Sequence, residues 1–182
     1  MNEAAPPRLR LARAVTDDIP FITACERMEG YERLVGRSEE AWHRAALTDG
    51  LYRYLLALDG DRPVGFAILR GWDAPDEVAH IKRIAVVEPG RGLGRAFLDL
   101  ILDAVFGETR AYRLSLGLFP DNTRARRAYE SVGFKAEGIS RGSALFAGVH
   151  RDELVMAILR PEWRARREGA RAARAARRPS AL

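Results

Sequence analysis

The alternation of apolar and polar residues predicts strands in both halves of the chain. Residues 8–15 alternate imperfectly, which is typical of a half-buried strand. Residues 52–58 and 64–72 flank a turn-forming stretch, Asp59-Gly60-Asp61-Arg62-Pro63, and this arrangement predicts a β-hairpin. The same criteria predict four further strands, at residues 77–87, 113–119, 134–141 and 152–159.

Apolar residues at helical spacing predict helices between these strands. The clearest is expected at residues 95–106, where five apolar side chains share one face: Phe97, Leu98, Ile101, Leu102 and Val105. A shorter helix is expected at 123–131, and two more begin near residues 16–20 and 38–40. A hairpin followed by strand, loop, helix and strand favours a single α+β domain over a uniformly alternating, doubly wound sheet.

Composition narrows the class of protein. The chain has 182 residues, of which 47% are hydrophobic, as expected for one globular domain. A single cysteine, Cys25, cannot form an intramolecular disulfide, and we expect it to be a buried apolar residue rather than a nucleophile. The three histidines, His43, His80 and His150, lack the close spacing of a zinc site, so no metal is expected.

The sequence predicts neither a membrane helix nor a secretory signal. No apolar run approaches the ~20 residues that cross a bilayer. The first seven residues, Met-Asn-Glu-Ala-Ala-Pro-Pro, contain neither a basic segment nor an apolar core. We therefore expect a cytoplasmic protein that is not associated with a membrane.

The positive charge is concentrated at the end of the chain. The net charge is +5, but residues 164–182 contain seven arginines and one glutamate, so residues 1–163 carry about one negative charge. We expect a catalytic or binding domain at 1–163, followed by an Arg/Ala-rich tail at 164–182 that is disordered or a frayed helix. Because the domain has no positive excess, nucleic acid is not the expected partner.

A glycine-rich loop, Pro89-Gly90-Arg91-Gly92-Leu93-Gly94-Arg95, separates a predicted strand from a predicted helix. Glycines let the backbone approach a ligand, and the unpaired N–H groups of a helix start attract anions such as a pyrophosphate. The loop lacks the Gly-Lys-Ser/Thr of a P-loop, and its spacing fits a dinucleotide fingerprint poorly. A glycine-rich turn that only caps the helix is an equally good interpretation of this loop alone.

A second motif follows the strand predicted at 113–119. Residues 120–134 read Pro-Asp-Asn-Thr-Arg-Ala-Arg-Arg-Ala-Tyr-Glu-Ser-Val-Gly-Phe, which gives the pattern N-x-x-A-x-x-x-Y-x-x-x-G-F. This pattern resembles the second acetyl-CoA motif of the GCN5-related N-acetyltransferase (GNAT) superfamily. The glycine-rich loop resembles the first motif, Q/R-x-x-G-x-G/A. The resemblance extends over residues 8–160 and implies a twisted, mixed, mostly antiparallel sheet flanked by helices, splayed between the strands at Val86 and Leu116.

The resemblance implies which residues bind acetyl-CoA. One register of the first motif places Gly92 and Gly94 on the signature glycines, and the other places Arg91, Gly94 and Ala96 on the signature. We prefer the first register. In both, the expected phosphate cradle is formed by Arg91, Gly92, Leu93, Gly94 and Arg95. The end of the preceding strand, Ile84, Ala85 and Val86, is expected to contact acetyl-CoA through its backbone. The start of the second motif is expected to contribute Asn122 and Ala125.

The resemblance also implies the chemistry. Tyr129 occupies the position of the family's general acid, which protonates the departing CoA thiolate. A general base for the amine is expected on the strand before the loop, where Glu77 and His80 are the candidates; a structural role is the stronger interpretation of each. The implied reaction is the direct transfer of an acetyl group from acetyl-CoA to a primary amine, in a ternary complex without a metal.

The acceptor and the partners are less constrained. Acceptor choice is expected from residues 26–37 and from a loop after Arg141. Five carboxylates near the first helices, at residues 26, 29, 32, 39 and 40, favour a cationic small amine or a protein N-terminus or lysine. A homodimer is plausible, because pairing of the last strands is common in the family. The alternative function is a nucleic-acid- or ribosome-associated module that uses the basic tail on an acyl-CoA-binding scaffold.

Overall fold

The computed structural model describes residues 9–176. Seven strands are present: β1 (Leu9–Arg13), β2 (Tyr52–Asp59), β3 (Arg62–Arg70), β4 (Val78–Val86), β5 (Arg113–Leu118), β6 (Lys135–Phe146) and β7 (Val149–Leu159). Five α-helices accompany them: α1 (Ile19–Glu26), α2 (Glu40–Thr48), α3 (Leu93–Glu108), α4 (Thr123–Ser131) and α5 (Arg160–Ala176).

The strands form one mixed sheet in the order β1-β2-β3-β4-β5-β7-β6. Every neighbouring pair is antiparallel except β4 and β5, which are parallel. The parallel pairing is short, because Val78–Ile81 of β4 pair with Arg113–Leu116 of β5 and the two strands then separate. The mixed, mostly antiparallel α+β sheet expected from the sequence is therefore confirmed.

Two apolar cores lie on opposite faces of the sheet. Helix α3 covers one face, burying Phe97 and Ile101 against strand residues such as Leu114. Helix α1 and its neighbours cover the other face, where Ile22 packs near Phe66 of β3. Strand β3 contributes apolar side chains to both cores, whereas β5 contributes them only to the core under α3. The gap between β4 and β5 therefore lies inside a sheet that is covered on both faces.

Of the element boundaries that differ from those predicted, two affect segments expected to contact a ligand. Helix α3 begins at Leu93, two residues earlier than expected, because Gly92 adopts φ +78° and allows the helix to start inside the glycine-rich loop. The loop expected after Arg141 is wrong, since β6 continues to Phe146 and turns tightly at residues 147–148 into β7. A register shift between Ser140 and Ala144 absorbs the extra residues, so the pairing with β7 resumes beyond it.

The Arg/Ala-rich segment begins within helix α5, so the boundary expected after residue 163 falls inside a helix. Trp163 stacks on Phe106 with ring centroids 5.4 Å apart, and its indole N–H donates to Asp103 at 3.1 Å. Arg167 also pairs with Asp103. These contacts dock the first turns of α5 on α3. Residues 177–182, the rest of the expected tail, lie outside the described residues.

None of the helices within residues 9–176 is both long enough and apolar enough to span a membrane.

Candidate functional site

A cavity of about 600 Å³ lies where β4 and β5 separate. Its walls are formed by these two strands, by the first turns of α3 and α4, and by residues 31–36, which follow α1. Residues 143–146 of β6 and Glu153 of β7 close the remaining side. The cavity therefore extends from the start of α3, through the gap between β4 and β5, to the face of the sheet opposite α3.

The start of α3 offers unpaired donors to this cavity. Ala96 is the first residue whose N–H returns to the loop, at the Gly92 carbonyl. The preceding N–H groups have no partner within the helix and carry the positive end of its dipole. A Cβ placed at Gly90, Gly92 or Gly94 would meet no atom within 4 Å, so the space above them is open. This end of the cavity is suited to bind a polyanion.

The residues expected at the phosphate cradle do not all reach the cavity. Gly92, Gly94 and Arg95 line it. Arg91 points away, because its guanidinium pairs with Glu88 and its side chain is 74% exposed. The side chain of Leu93 is buried in the core under α3, so this residue has only its backbone to offer.

Residues of the second motif form the adjacent wall. Asn122 caps α4, because its side-chain oxygen accepts a hydrogen bond from the Ala125 N–H at 3.1 Å. Its amide NH₂ group is therefore left to donate to a ligand. Ala125 and Arg124 also line the cavity, and Arg124 adds a cation that the sequence reasoning had not assigned. The small side chain of Ala125 leaves room for a ligand beside the helix.

Tyr129 lies one turn further along α4, on the same wall. It is 8% exposed, and its ring packs against Phe134 with centroids 5.9 Å apart. Its hydroxyl has no hydrogen-bond partner among the described residues, although Tyr129 lines the cavity. Burial, together with the nearby Tyr31, raises the pKa of Tyr129 above its usual value. The phenol therefore keeps its proton at neutral pH, as a general acid must.

The end of β4 lines the cavity with Ile84, Ala85 and Val86. The Val86 carbonyl accepts a hydrogen bond from the Tyr31 hydroxyl at 2.7 Å, and the Val86 N–H lies 3.4 Å from the same oxygen. Because alternate residues of a strand direct their backbone groups to the same edge, Ile84 faces the gap on the same side as Val86. In this structure, the backbone edge expected to bind the pantetheine arm is thus partly covered by Tyr31.

A carboxylate that the sequence reasoning missed enters the cavity from β7. Glu153 accepts a hydrogen bond from the Ser143 hydroxyl at 2.8 Å. It lies over Gly117 of β5, where a Cβ would come within 2.6 Å of its Oε1 atom. The available signal was the glycine inside an otherwise apolar strand, since such a glycine marks the close approach of another group.

The two predicted base candidates lie in different places. His80 lines the cavity, and its Nδ1 is 3.1 Å from the Ser115 hydroxyl. Burial, aided by the charges of Arg70 and Lys82, lowers its pKa to about 4, so its imidazole is neutral at pH 7 and a weak base. Glu77 precedes β4 outside the cavity wall; it has φ +58°, and its carbonyl accepts the Tyr112 N–H at 2.7 Å. The structure does not bring Glu77 to the site.

Comparison with known proteins identifies the family. The sequence model of the acetyltransferase (GNAT) family matches residues 17–134. A probable N-acetyltransferase of Bacillus subtilis, YjcK, is 36% identical over 73 residues, which are 40% of each protein, so the match spans under half of that relative. This chain belongs to the GNAT family.

Solved structures of similar fold include two members with different acceptors. The spermidine N-acetyltransferase of Vibrio cholerae, solved with CoA and spermine, is 21% identical to this chain, with a TM-score of 0.74. The match covers 86% of this chain and 98% of that one. The ribosomal-protein-S18-alanine N-acetyltransferase of Escherichia coli is 23% identical with a TM-score of 0.66, covering 83% and 93%. At these identities, the similarity shows the GNAT fold alone.

Membership of the GNAT family confirms the resemblance drawn from the two motifs and the enzyme class that they predict, that of acetyl-CoA-dependent acyltransferases. The open start of α3 and the wall formed by α4 carry those motifs in this structure. The two helices contact each other and share one apolar core, which explains how motifs about 30 residues apart in the sequence contribute to one cavity.

Cys25 lies outside this GNAT site. It is 1% exposed within α1. Burial, and to a smaller extent the charge of Glu26, raises its pKa to about 12, so the thiol is protonated at neutral pH. A protonated, enclosed thiol is a poor nucleophile, which supports the expectation that Cys25 is a core residue.

Proposed function

We propose that the protein transfers the acetyl group of acetyl-CoA to a primary amine by direct attack. The observation that carries this proposal is a single cavity with an open helix N-terminus at one end, a protonated Tyr129 on its wall and the carboxylate of Glu153 on its other side. A proton donor and a proton acceptor therefore line the same cavity.

Each step of the transfer has a group to perform it. Glu153, the carboxylate on the wall, accepts a proton from the acceptor ammonium, so that the nitrogen lone pair becomes available. The amine nitrogen bonds to the thioester carbon, and the C–S bond breaks as the carbonyl reforms. Tyr129 donates its proton to the departing sulfur, which leaves as the thiol. The nitrogen, cationic after its attack, gives up its second proton as the amide forms, and this proton restores the Tyr129 phenol.

The pyrophosphate of acetyl-CoA fits the open end of the cavity. Arg95 and Arg124 flank the unpaired N–H groups at the start of α3, and neither has a carboxylate within 4.0 Å in the described part of the chain. The thioester then extends along the edge of β4. Because Tyr31 bonds to the Val86 backbone there, we expect it to shift when the pantetheine arm binds.

The proposal is tested by following CoA thiol release with acetyl-CoA and a panel of primary amines, with mass spectrometry of the products. The expected result is amine-dependent thiol release and a product heavier by one acetyl group. Binding of acetyl-CoA without turnover of any amine, peptide N-terminus or lysine would contradict the proposal and leave only a binding role.

A further inference from the structure

The cavity is strongly cationic on the side away from the start of α3. Among its charged lining residues, the basic ones outnumber the single carboxylate, Glu153. Three of the basic residues belong to β3 and β4: Arg70, Lys82 and Arg83. This excess of positive charge constrains the acceptor, because a substrate bound there must compensate the positive charge.

A bulge in β4 gathers these cations on one face. Ile68 of β3 pairs with Arg83 and Leu69 pairs with Ile81, so Lys82 is the extra residue between them. Such a bulge lets two successive side chains point to the same side. Accordingly, Lys82 Nζ and the Arg83 guanidinium lie 5.8 and 5.9 Å from the ring centre of Trp42.

Arg70 joins the same cluster from β3. It is the register partner of His80, so its side chain shares the face of the sheet on which His80 meets Ser115. Burial is the main cause that lowers the pKa of both His80 and Lys82, and the charge of Arg70 lowers each further. For Lys82 the charge of Arg83 acts in the same direction, while that of Glu153 raises the pKa. The cations are therefore close enough to repel one another.

These cations are too far from the start of α3 to bind the pyrophosphate. Four residue steps of β4 separate Lys82 from Val86, roughly 13 Å at ~3.3 Å per residue. His80, the register partner of Arg70, lies six steps or roughly 20 Å from Val86. The glycine-rich loop lies beyond Val86, while Arg70 and Lys82 lie level with or close to His80. The thioester would lie between the two ends, which leaves the cationic end for the acceptor.

Only one of the three cations is neutralised within the protein. Arg83 pairs with Glu26, which is fully buried and also accepts the Ser38 N–H at 2.9 Å. Although burial opposes it, hydrogen bonding to His43 and the charge of Arg83 hold the pKa of Glu26 below its usual value. Within residues 9–176, no carboxylate lies within 4.0 Å of the charged groups of Arg70 or Lys82.

The acidic residues that favoured a cationic acceptor do not supply this balance. Glu26 is committed to Arg83 and His43. Glu39 pairs with Arg27, and Glu40 with Arg44. None of the five glutamates at residues 26–40 lines the cavity. A polyamine would therefore meet repulsion on this side rather than a set of carboxylates.

We propose that the acceptor is a small primary amine that also carries an anionic group, a carboxylate or a phosphate, bound by Arg70 and Lys82 while its nitrogen faces Glu153. This inference rests on the proposed acetyl transfer and names the substrate class. Binding such an anion relieves the repulsion between the two cations and orients the amine across the gap. The ammonium and the anion of one molecule thereby match the opposite charges on two walls of the cavity.

Matched amines test the proposal directly. We would compare β-alanine with β-alaninamide and phosphoethanolamine with ethanolamine, and include spermidine, measuring kcat/KM corrected for the fraction of free amine. The anionic member of at least one pair should exceed its neutral partner by roughly tenfold, about 1.4 kcal/mol. The pair with the larger ratio identifies the carboxylate or the phosphate. Preference for spermidine over the anionic amines would overturn the inference.

Substitutions of the two cations test whether they cause the preference for anionic amines. Lys82→Gln and Arg70→Gln should each reduce the anionic preference, the ratio of kcat/KM between the anionic and the neutral member of a pair, roughly tenfold, with affinity for acetyl-CoA unchanged within a few-fold. Arg10→Gln is the matched control, since Arg10 lies on the edge strand β1, outside the cavity, where it pairs with Asp61. An unchanged preference in both cavity variants contradicts the assignment. Turnover of neutral amines without any anionic preference refutes this inference alone, whereas no turnover with any amine refutes the proposed function.

Discussion

Tyr129 offers the most direct test of mechanism at the scale of one residue. Tyr129→Phe removes a proton donor but keeps the ring that packs on Phe134. If the hydroxyl protonates the leaving sulfur, kcat should fall by roughly 10²–10⁴, the usual contribution of general acid catalysis. Affinity for acetyl-CoA should hardly change, because the start of α3 is untouched. Steady-state kinetics and calorimetry measure the two quantities.

A second observation separates catalysis by Tyr129 from packing. A thiolate leaves more readily without protonation as pH rises, so the deficit of Tyr129→Phe should shrink at high pH. Phe134→Leu is a suitable control, because it disturbs the packing of the same ring without removing the hydroxyl. Full kcat in Tyr129→Phe at neutral pH would show that Tyr129 is a packing residue.

Gly117 gives a test of Glu153 from the opposite strand. A Cβ at this position would lie 2.6 Å from Glu153 Oε1 and 2.9 Å from its Cδ, so Gly117→Ala must displace the carboxylate. We expect Gly117→Ala to lower kcat/KM roughly tenfold or more, as Glu153→Gln should, with acetyl-CoA binding retained. Gly107→Ala in α3 is the control, since a Cβ there meets no atom within 4 Å. Normal kcat/KM in Gly117→Ala would remove Glu153 from the proposed mechanism.

The residues predicted from sequence are those carried by local motifs. Asn122, Ala125 and Tyr129 could be named because a helix fixes their spacing and the structure places all three on one cavity wall. Glu153 could not, because it reaches the site only through the sheet order in which β7 lies beside β5. Arg91 was expected at the cradle, and its exposed pairing with Glu88 depends on side-chain geometry that spacing does not determine.

At the scale of the element, the start of α3 is the feature to test. Gly94→Val places a branched side chain in the open space above the first helical turn, where a pyrophosphate would approach. Affinity for acetyl-CoA should fall roughly tenfold or more, at least about 1.4 kcal/mol, measured by calorimetry. Gly107→Val makes the same substitution near the other end of α3 and should leave affinity unchanged. Unchanged affinity in folded Gly94→Val would exclude this end of the cavity as the pyrophosphate site.

The bounds of an element were predicted correctly where a local hydrophobic periodicity sets them, and incorrectly where pairing with another strand sets them. The bounds of α4 match the expected 123–131, because an Asn cap and a glycine enclose a short amphipathic run. Strand β6 runs five residues beyond its expected end, since its second half is defined by pairing with β7 across a register shift. That pairing has no periodic signal in a stretch containing Gly138 and Gly142.

At the scale of the whole molecule, the distribution of charge is not a property of the tail alone. Arg166 and Arg167 of α5 pair with Asp99 and Asp103 of α3, so two arginines of the basic segment contribute to docking the helix on the domain. The cavity, by contrast, is lined by several cations and by one carboxylate, Glu153. The sequence shows an almost neutral domain with a basic end, whereas the fold creates a local excess of positive charge inside that neutral domain.

The burial of His80 beside these cations should also make the stability of the fold depend on pH. Burial and the neighbouring cations lower the pKa of His80 from 6.5 to about 4, so below pH 6.5 the unfolded chain takes up a proton that the folded protein refuses. Stability is therefore lost as pH falls from 6.5 towards 4, by up to ~1.4 kcal/mol per unit, or about 2 kcal/mol at pH 5.

Urea unfolding at pH 7.5 and 5.0 should show this loss in the wild type and a smaller one in His80→Gln. His150→Gln, at an exposed site, controls for the loss of an imidazole and should retain the wild-type difference. The carboxyl of Glu26 does not confound the comparison, because its lowered pKa keeps it ionised throughout this range. An equal loss in wild type and His80→Gln would show that the pKa of His80 is not lowered in the folded protein.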